Sequence, residues 1–277
     1  GVKTRFLLCI GVMMGNCFLF NLQPFVGFIL SPSLNIYDKQ LVYGLKYFLG
    51  ITNYQVAVVS VITCSTFICY VTSTITGLLI VFTGYNEARL LVHSQEIRDL
   101  WSDALRYYRE NFDATYTGNH SNKIATELLN KYVKYRLTFI VKSHATNIDL
   151  TKKIEDIFRN TILVEFLLVS AGLIVDLLGG LEDTCIIVPY ALTQIGMDCY
   201  VGQKLADASR IFENAVYNCK WENFDIHNRK TVLLILKMSQ KTLSLSAGGV
   251  APLSFSSLMA IYKGVYSAYT ALRSSMV

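Results

Sequence analysis

Acidic side chains inside apolar segments are the residues of this 277-residue chain most able to do chemistry. Glu165 and Asp176 interrupt the apolar stretch 161–178, and Asp198 interrupts the stretch 184–201. An ionisable group that faces lipid costs at least about 2.5 kcal/mol, so these acids are expected to face protein or water. They could form the proton relay of a transporter, but we favour structural pairing with a lysine or arginine of a neighbouring helix.

The other reactive residues are scattered along the chain. The four histidines form no H-E-x-x-H motif, the seven cysteines form no C-x-x-C pair, and neither a G-x-S-x-G motif nor a phosphate-binding glycine loop is present. We therefore expect no catalytic site, no metal and no cofactor. Nucleic-acid binding is also not expected, because membrane topology explains the net charge of +5.

Composition places the chain among membrane proteins. Charged residues make up 16% against about 25% in ordinary soluble domains, and hydrophobic residues make up 52%. The uncharged residues 6–30 suffice to cross a hydrocarbon core of about 30 Å, and the uncharged run 47–86 is longer still. The segments 161–178, 184–201 and 253–272 are less purely apolar, so the sequence predicts five spans in all.

The distribution of positive charge predicts the orientation of these spans. Of the 25 lysines and arginines, 21 lie before the first span, in residues 85–160 or in residues 202–252. Loops rich in lysine and arginine stay in the cytoplasm, so the chain begins inside the cell and ends outside. G-protein-coupled receptors end inside the cell, and the D-R-Y and N-P-x-x-Y motifs of that class are absent.

Amphipathic patterns predict that helices continue outside the membrane. One stripe extends the second span, and it comprises Ile97, Leu100, Trp101, Ala104, Leu105 and Tyr108. After a loop at 116–122, a second helix is expected through Ile124, Leu128, Tyr132 and Tyr135. A third is expected over residues 226–245, with one apolar side formed by Val232, Leu233, Ile235, Leu236 and Leu243. Gly248, Gly249 and Pro252 then predict a hinge before the last span.

The order of residues in segments 194–221, 228–249 and 252–273 resembles the C-terminal signature of insect odorant receptors. The positions that carry the resemblance are Cys199, Tyr200, Gly202, Ser209, Ala215, Tyr217, Trp221, Ala247, Gly248, Gly249, Pro252, Leu253, Ser254, Lys263, Tyr266, Ser267 and Leu272. The resemblance implies an all-α membrane protein with seven transmembrane helices, an intracellular N-terminus and an extracellular C-terminus. The five spans here would be the third to seventh helices, and the first residue, Gly1, suggests a trimmed N-terminus.

The resemblance also implies a division of the chain. Residues 1–92 would hold the third and fourth helices with an outer loop at 31–50, and residues 161–201 would hold the fifth and sixth helices. Residues 93–160 and 202–252 would form a cytoplasmic anchor domain. Residues 253–277 would form the last, pore-lining helix and the extracellular end.

The function that the resemblance implies is that of an odorant-binding subunit in a ligand-gated, non-selective cation channel. Such a subunit assembles with the odorant receptor co-receptor into a heterotetramer, in the plasma membrane of olfactory sensory neurons, and binds a small apolar volatile. A gustatory-type receptor channel and a secondary transporter remain as alternatives, although paired broken helices, the mark of a transporter, are not seen in the sequence.

The resemblance assigns three groups of candidate residues. An apolar pocket with a few polar groups, in the outer half of the membrane, would be lined by Asn16, Phe20, Gln23, Val59, Ile62, Thr63, Thr66, Ile187, Tyr190 and Thr193. The pore and its gate would involve Ser267, Ala271 and Ser274. The contacts between subunits would involve Trp221, Val232, Leu236 and Leu243. Each set is also compatible with ordinary helix packing, and small residues on one face equally suit a tight helix interface.

Overall fold

The computed structural model describes residues 3–7, 10–15, 18, 54–112, 121–179 and 187–276. Residues 3–7 and 10–15 are helical. The elements that follow are α1 (Tyr54–Phe112), α2 (Ser121–Gly179), α3 (Ile187–Tyr217), a 3-10 turn (Trp221–Asn223), α4 (Ile226–Ser239), β1 (Ser246–Ala247), β2 (Ala251–Pro252) and α5 (Phe255–Met276).

Helices α1 and α2 are much longer than a membrane is thick. Each has 59 residues, or about 90 Å at 1.5 Å per residue, against a hydrocarbon core of about 30 Å. Two helical stretches of the described residues, Ile62–Asn111 and Ile124–Leu178, are apolar enough to span a membrane, and only 39% and 22% of their most apolar windows are buried. Core helices of soluble proteins are mostly buried, so the low burial favours contact with lipid. The expectation that these helices outgrow the membrane is confirmed.

The chain divides into two compact units. The first unit comprises residues 1–81, 164–199 and 255–277, and the second unit comprises residues 82–163 and 200–254. The division therefore falls within three of the long helices rather than between them. The functional assignment of the predicted segments, with boundaries at 92, 160, 201 and 252, stays a prediction.

In the first unit, α5 packs on α2 and α3. Leu173, Ala191 and Val265 are buried together, one from each helix, and Ile261 lies against them. Other large apolar side chains of this unit remain exposed, and they include Phe67, Ile68, Leu78, Val164, Leu167, Leu168 and Val175. An apolar exterior on this scale is typical of a lipid-facing surface.

In the second unit, the later part of α1 and the earlier part of α2 pack with the later part of α3. The predicted stripe on α1 is confirmed for Ile97, Leu100 and Ala104, which are buried, but it is wrong for Leu105, which is exposed. Trp101 and Tyr108 are half-buried. The predicted stripe on α2 is wrong in phase by about one residue. Tyr135 is 72% exposed, whereas Val133, which was not predicted, is buried. The buried side of α2 in this region is formed by Leu129, Val133, Leu137 and Ile140.

Helix α4 is shorter than predicted. It begins after Asp225, whose carboxylate accepts a hydrogen bond from Asn228 N, and it ends at Ser239 rather than continuing to residue 245. Leu243 therefore lies in a segment without regular secondary structure, where its N–H donates to Ser209 Oγ at 3.0 Å. Leu233 is also on the opposite side from the one predicted, since it is 66% exposed while Val232 is buried.

A β-hairpin, which the helical pattern did not predict, connects the segment after α4 to α5. Ser246 pairs with Pro252 and Ala247 with Ala251, and Gly248 and Gly249 adopt positive φ angles of 65° and 75° in the turn. Gly248 N donates to Arg159 O at 2.8 Å, which ties the turn to α2. The predicted hinge is thus a turn held by hydrogen bonds.

Candidate functional site

A row of polar side chains joins α1 to α3 within the first unit. Tyr190, Gln194 and Asp198 occur at intervals of four on α3, and Thr72 and Thr76 occur at an interval of four on α1, so each set lies on one side of its helix. Tyr190 Oη and Thr72 Oγ1 are hydrogen-bonded at 2.7 Å. Gln194 Nε2 donates to Thr76 Oγ1 at 2.8 Å, and Thr76 Oγ1 donates to Asp198 Oδ1 at 3.2 Å.

Helix α2 adds a second carboxylate to this row. The side-chain amide of Gln194 also donates to Glu165 Oε1, so three helices meet at one polar centre. We call Thr76, Glu165, Gln194 and Asp198 the acidic cluster, and all four residues are buried. Burial of two carboxylates in an apolar unit is costly, which makes the cluster the most unusual chemical feature of the first unit.

The expectation that the membrane acids pair with lysine or arginine is wrong for two of them. Glu165 and Asp198 bond to Gln194 and Thr76, and the ion pairs found among the described residues involve neither carboxylate. Sequence reasoning missed Thr72, Thr76 and Gln194 as partners. The repeated spacing of four on both helices was the signal that could have identified them.

The predicted pocket residues lie in different surroundings. Val59, Thr63 and Thr66 are exposed on α1, while Tyr190 and Thr193 of α3 are half-buried. Thr63 Oγ1 donates to Val59 O at 2.7 Å, so this hydroxyl is satisfied within its own helix. Ile62 is half-buried on α1, and Ile187 is the first residue of α3, with its side chain outside the described part of the structure. The predicted residues Asn16, Phe20 and Gln23 lie outside the described residues.

The predicted pore residues share a side of α5 that faces away from the packing of the first unit. Ser267 and Ser274 are two and nine residues after the buried Val265, which puts them about 180° from it around the helix, and Ala271, six residues after Val265, lies about 120° from it. All three are exposed. Leu272, by contrast, is seven residues after Val265 and so lies on the packed side. The small residues are therefore available to a neighbouring helix or a pore.

Two charged residues of α5 are exposed. Arg273 Nη1 donates to Tyr269 Oη at 2.6 Å, and the guanidinium also contacts the Tyr269 ring, with 5.8 Å to the centroid. Lys263 is exposed, and its position four residues before Ser267 places it on the same side as the pore candidates. A cation at this position would repel a permeant cation unless its side chain reaches away from the path.

Two of the four predicted subunit-contact residues are buried within this chain. Val232 is 5% exposed and Leu243 is 7% exposed, so neither side chain can form a contact surface for another subunit. Leu236 is half-buried and Trp221 is exposed. The exposed apolar side of α4 is instead formed by Ile226, Leu233, Leu234 and Met238, and we call it the α4 face.

A serine, a histidine and a glutamate are aligned in the second unit. His93 Nε2 lies 2.5 Å from Ser143 Oγ, and His93 Nδ1 lies 2.9 Å from Glu96 Oε2. This order matches that of a hydrolytic triad, but Arg89 also donates to Ser143 Oγ, at 2.7 Å, and Arg136 pairs with Glu96. Ser143 and His93 are buried, so the arrangement joins α1 to α2 and does not present a nucleophile to a substrate.

Comparisons with known proteins converge on one kind of receptor. The sequence profile of the family described as 7tm Odorant receptor matches residues 2–266. The chain is 27% identical to odorant receptor 22c of Drosophila melanogaster over 160 residues, which are 54% of this chain and 40% of that protein. It is 25% identical to odorant receptor 30a of the same species over 162 residues, which are 56% of this chain and 43% of that protein.

Two further comparisons concern length and structure. Odorant receptor 22a of Drosophila melanogaster is 23% identical over 145 residues, 50% of this chain and 36% of that protein, so the chain spans less than half the length of these relatives. The solved structure of the insect olfactory receptor OR5 from Machilis hrabei superposes with a TM-score of 0.48 at 12% identity. That superposition covers 96% of this chain and 87% of the other.

Proposed function

The chain belongs to the 7tm odorant receptor family, and on that premise we propose that it is the odorant-binding subunit of a ligand-gated, non-selective cation channel. The family match is the observation that carries this proposal. In it, the protein crosses the plasma membrane of olfactory sensory neurons, the first unit binds a small apolar volatile, and a co-receptor completes a heterotetramer. The exposed small residues of α5, Ser267, Ala271 and Ser274, support the pore, because they suit close approach of symmetry-related helices.

Current recorded from cells tests the proposal directly. The full-length receptor that contains this chain is expressed with and without the co-receptor and challenged with a panel of volatiles. We expect odorant-evoked inward current carried by both Na⁺ and K⁺, only when both proteins are present. A current from the co-receptor alone that is indistinguishable from that of the pair would contradict the assignment.

We place the proposed contacts between subunits on the α4 face. Two of the four residues first expected to form these contacts, Val232 and Leu243, are buried within the chain, whereas the α4 face is exposed. Ile226, Leu233 and Leu234 expose apolar surface outside the predicted spans, where burial yields about 25 cal/mol per Å². Lys230 and Lys237 are exposed on the same side of α4, between these apolar residues. Within lipid, apolar burial provides no comparable drive, so we place the main contact between subunits on the cytoplasmic helices.

Leu233→Glu tests this placement. Loss of a buried leucine costs about 1.5–3 kcal/mol, so we expect the fraction of tetramer in detergent to fall at least about tenfold, as measured by size-exclusion chromatography of the tagged receptor with its co-receptor. Leu105→Glu is the control, since Leu105 is also an exposed leucine of the second unit but lies on α1. Equal loss of tetramer in both variants would argue against the α4 face.

Thr63→Trp tests the proposed pocket. Thr63 is exposed on α1 near the predicted outer end, and a tryptophan there would fill space that a small volatile needs. We expect the odorant concentration for half-maximal current to rise by about tenfold or more, equivalent to 1.4 kcal/mol, while assembly is retained.

Thr74→Trp provides a matched control for this variant. Thr74 is also exposed, also donates its hydroxyl to the carbonyl four residues earlier, and lies on the same side of α1 about three turns further along. Its replacement should leave odorant sensitivity unchanged. If both variants shift the response equally, the pocket is not in the outer half of the first unit.

A further inference from the structure

The acidic cluster carries more acceptor oxygens than it has donors to satisfy. Glu165 Oε2, Gln194 Oε1 and Asp198 Oδ2 are buried and have no hydrogen-bond partner among the described residues. The orientation of the Gln194 amide follows from its neighbours, because Glu165 Oε1 accepts a hydrogen bond and therefore requires the NH₂ group. The amide oxygen is then left without a donor, next to two carboxylates.

Charge in the cluster is unbalanced as well. Glu165 and Asp198 are close enough to interact electrostatically, and the described ion pairs include neither. The only donors that the described residues supply to the two carboxylates are the neutral amide of Gln194 and the hydroxyl of Thr76. Two negative charges buried in an apolar unit require a positive partner or protonation.

A comparison with the buried polar residues of the second unit shows what kind of partner is missing. Asn86 Oδ1, Asn147 Oδ1, Asn147 Nδ2 and both ring nitrogens of His144 lack partners there among the described residues. That set mixes donors with acceptors, which is the mixture that a buried water satisfies. The unpartnered atoms of Glu165, Gln194 and Asp198 are all acceptors. A water can donate only two hydrogen bonds and cannot balance the charge.

We propose that Glu165, Gln194 and Asp198 bind a small monovalent cation, Na⁺, between α1, α2 and α3 of the first unit. Carboxylate and amide oxygens suit a hard cation, and the three unpartnered oxygens fall short of the six to eight that Ca²⁺ takes. Na⁺ would offset one of the two negative charges. Ser73 lies one turn before Thr76 on α1, and its buried hydroxyl also lacks a partner among the described residues. Ser73 lies about 60° around the helix from Thr76, so its hydroxyl is the candidate for a fourth oxygen. The bound ion would link three helices and so stabilise one arrangement of them.

Thermal unfolding of the purified full-length receptor tests this proposal without reference to channel activity. The melting temperature is measured at one pH and one ionic strength in sodium chloride and in N-methyl-D-glucamine chloride, whose cation is too large for a buried site. We expect Na⁺ to raise the melting temperature by about 3 °C if it is present at about ten times its dissociation constant. Equal melting temperatures in the two salts would overturn the proposal, and this comparison requires no variant to fold.

Variants of the acidic cluster test whether the effect of Na⁺ on the melting temperature arises at this site. Asp198→Asn and Glu165→Gln keep the shape of each side chain but remove a charge, and both should lose the response to Na⁺. Asp176→Asn is the control, because Asp176 is another acid on α2, about three turns beyond Glu165, and it should keep the full response. A response to Na⁺ that persists in both Asp198→Asn and Glu165→Gln would place the ion elsewhere and overturn the site. A melting temperature that follows pH in the wild type but not Na⁺ would assign the neutralising role to protons and would also overturn it.

Discussion

Replacing Gly202 by alanine is expected to prevent the receptor from folding stably. A Cβ atom at position 202 would lie 2.3 Å from Leu253 Cβ and 2.5 Å from the Leu253 carbonyl oxygen. Leu253 cannot yield, because it is buried and its N–H donates to Leu245 O at 2.8 Å. Overpacking against fixed backbone costs about 3 kcal/mol or more, so the melting temperature of the full-length receptor should fall by about 6 °C or more, and little monodisperse protein should elute from a sizing column.

Gly172→Ala is the matched control for this variant. Gly172 also lies within a long helix, α2, but nothing is within 4 Å of the position that its Cβ would occupy. Alanine favours a helix over glycine by about 1 kcal/mol, so this variant should be as stable as the wild type or slightly more stable. If Gly202→Ala melts like Gly172→Ala, the close approach of α3 to Leu253 is not present in the folded receptor.

The contact between Gly202 and Leu253 shows which features could be predicted from the sequence and which could not. Both residues belong to the signature that resembles odorant receptors, as does Ser209, whose hydroxyl accepts the N–H of Leu243. The family expected from this signature is confirmed by the match over residues 2–266. The contacts themselves join positions far apart in the chain, so neither periodicity nor composition could predict which residues touch.

The buried side of α4 and the position of its C-terminal end could also not be predicted from the sequence. Over residues 226–245 the apolar residues are so frequent that both sides of a helix look apolar, and the choice of Val232 with Leu233 on one side was wrong. The end of α4 at Ser239 depends on contacts of the following segment, such as the bond from Leu243 N to Ser209. A helical period contains no information about such tertiary contacts.

The hydrogen-bond partners of the buried acids could not be predicted from the sequence either, because they depend on how the helices pack. An acid in an apolar span was expected to find a lysine or arginine, because charge pairing is the common solution. The structure instead brings Gln194 and Thr76 to Glu165 and Asp198. Only the spacing of polar residues on two helices indicated a shared polar side, and nothing in the sequence indicated that α2 would add Glu165 to it.

Modification of a cysteine at position 271 is expected to reduce odorant-evoked current severalfold. In the proposed channel, Ala271 lies near the outer end of α5, exposed about 120° around the helix from Val265 and next to the side that Ser267 and Ser274 share. A bulky charged adduct at each such site would narrow the path of the ion, and a positive adduct would also repel cations. The receptor carrying Ala271→Cys is assembled with the co-receptor and treated from outside with a membrane-impermeant, positively charged thiol reagent while odorant-evoked current is recorded.

Leu272→Cys is the control that separates a pore position from general accessibility. Leu272 is 45% exposed, so the reagent can reach it, yet it lies on the packed side of α5, two turns beyond Val265. Both variants are made with Cys64 and Cys185 changed to serine, so that the reagent cannot react there. Cys64 is an exposed free thiol, and Cys185 lies at the predicted outer end of the span 184–201. Cys219 needs no replacement, because it is buried and its pKa is raised by that burial to about 11, which keeps the thiol unreactive. We expect modification to reduce the current strongly at position 271, on the exposed side of α5, and only weakly at position 272, on the packed side. Equal reductions at both positions would remove the basis for placing the pore along Ser267, Ala271 and Ser274.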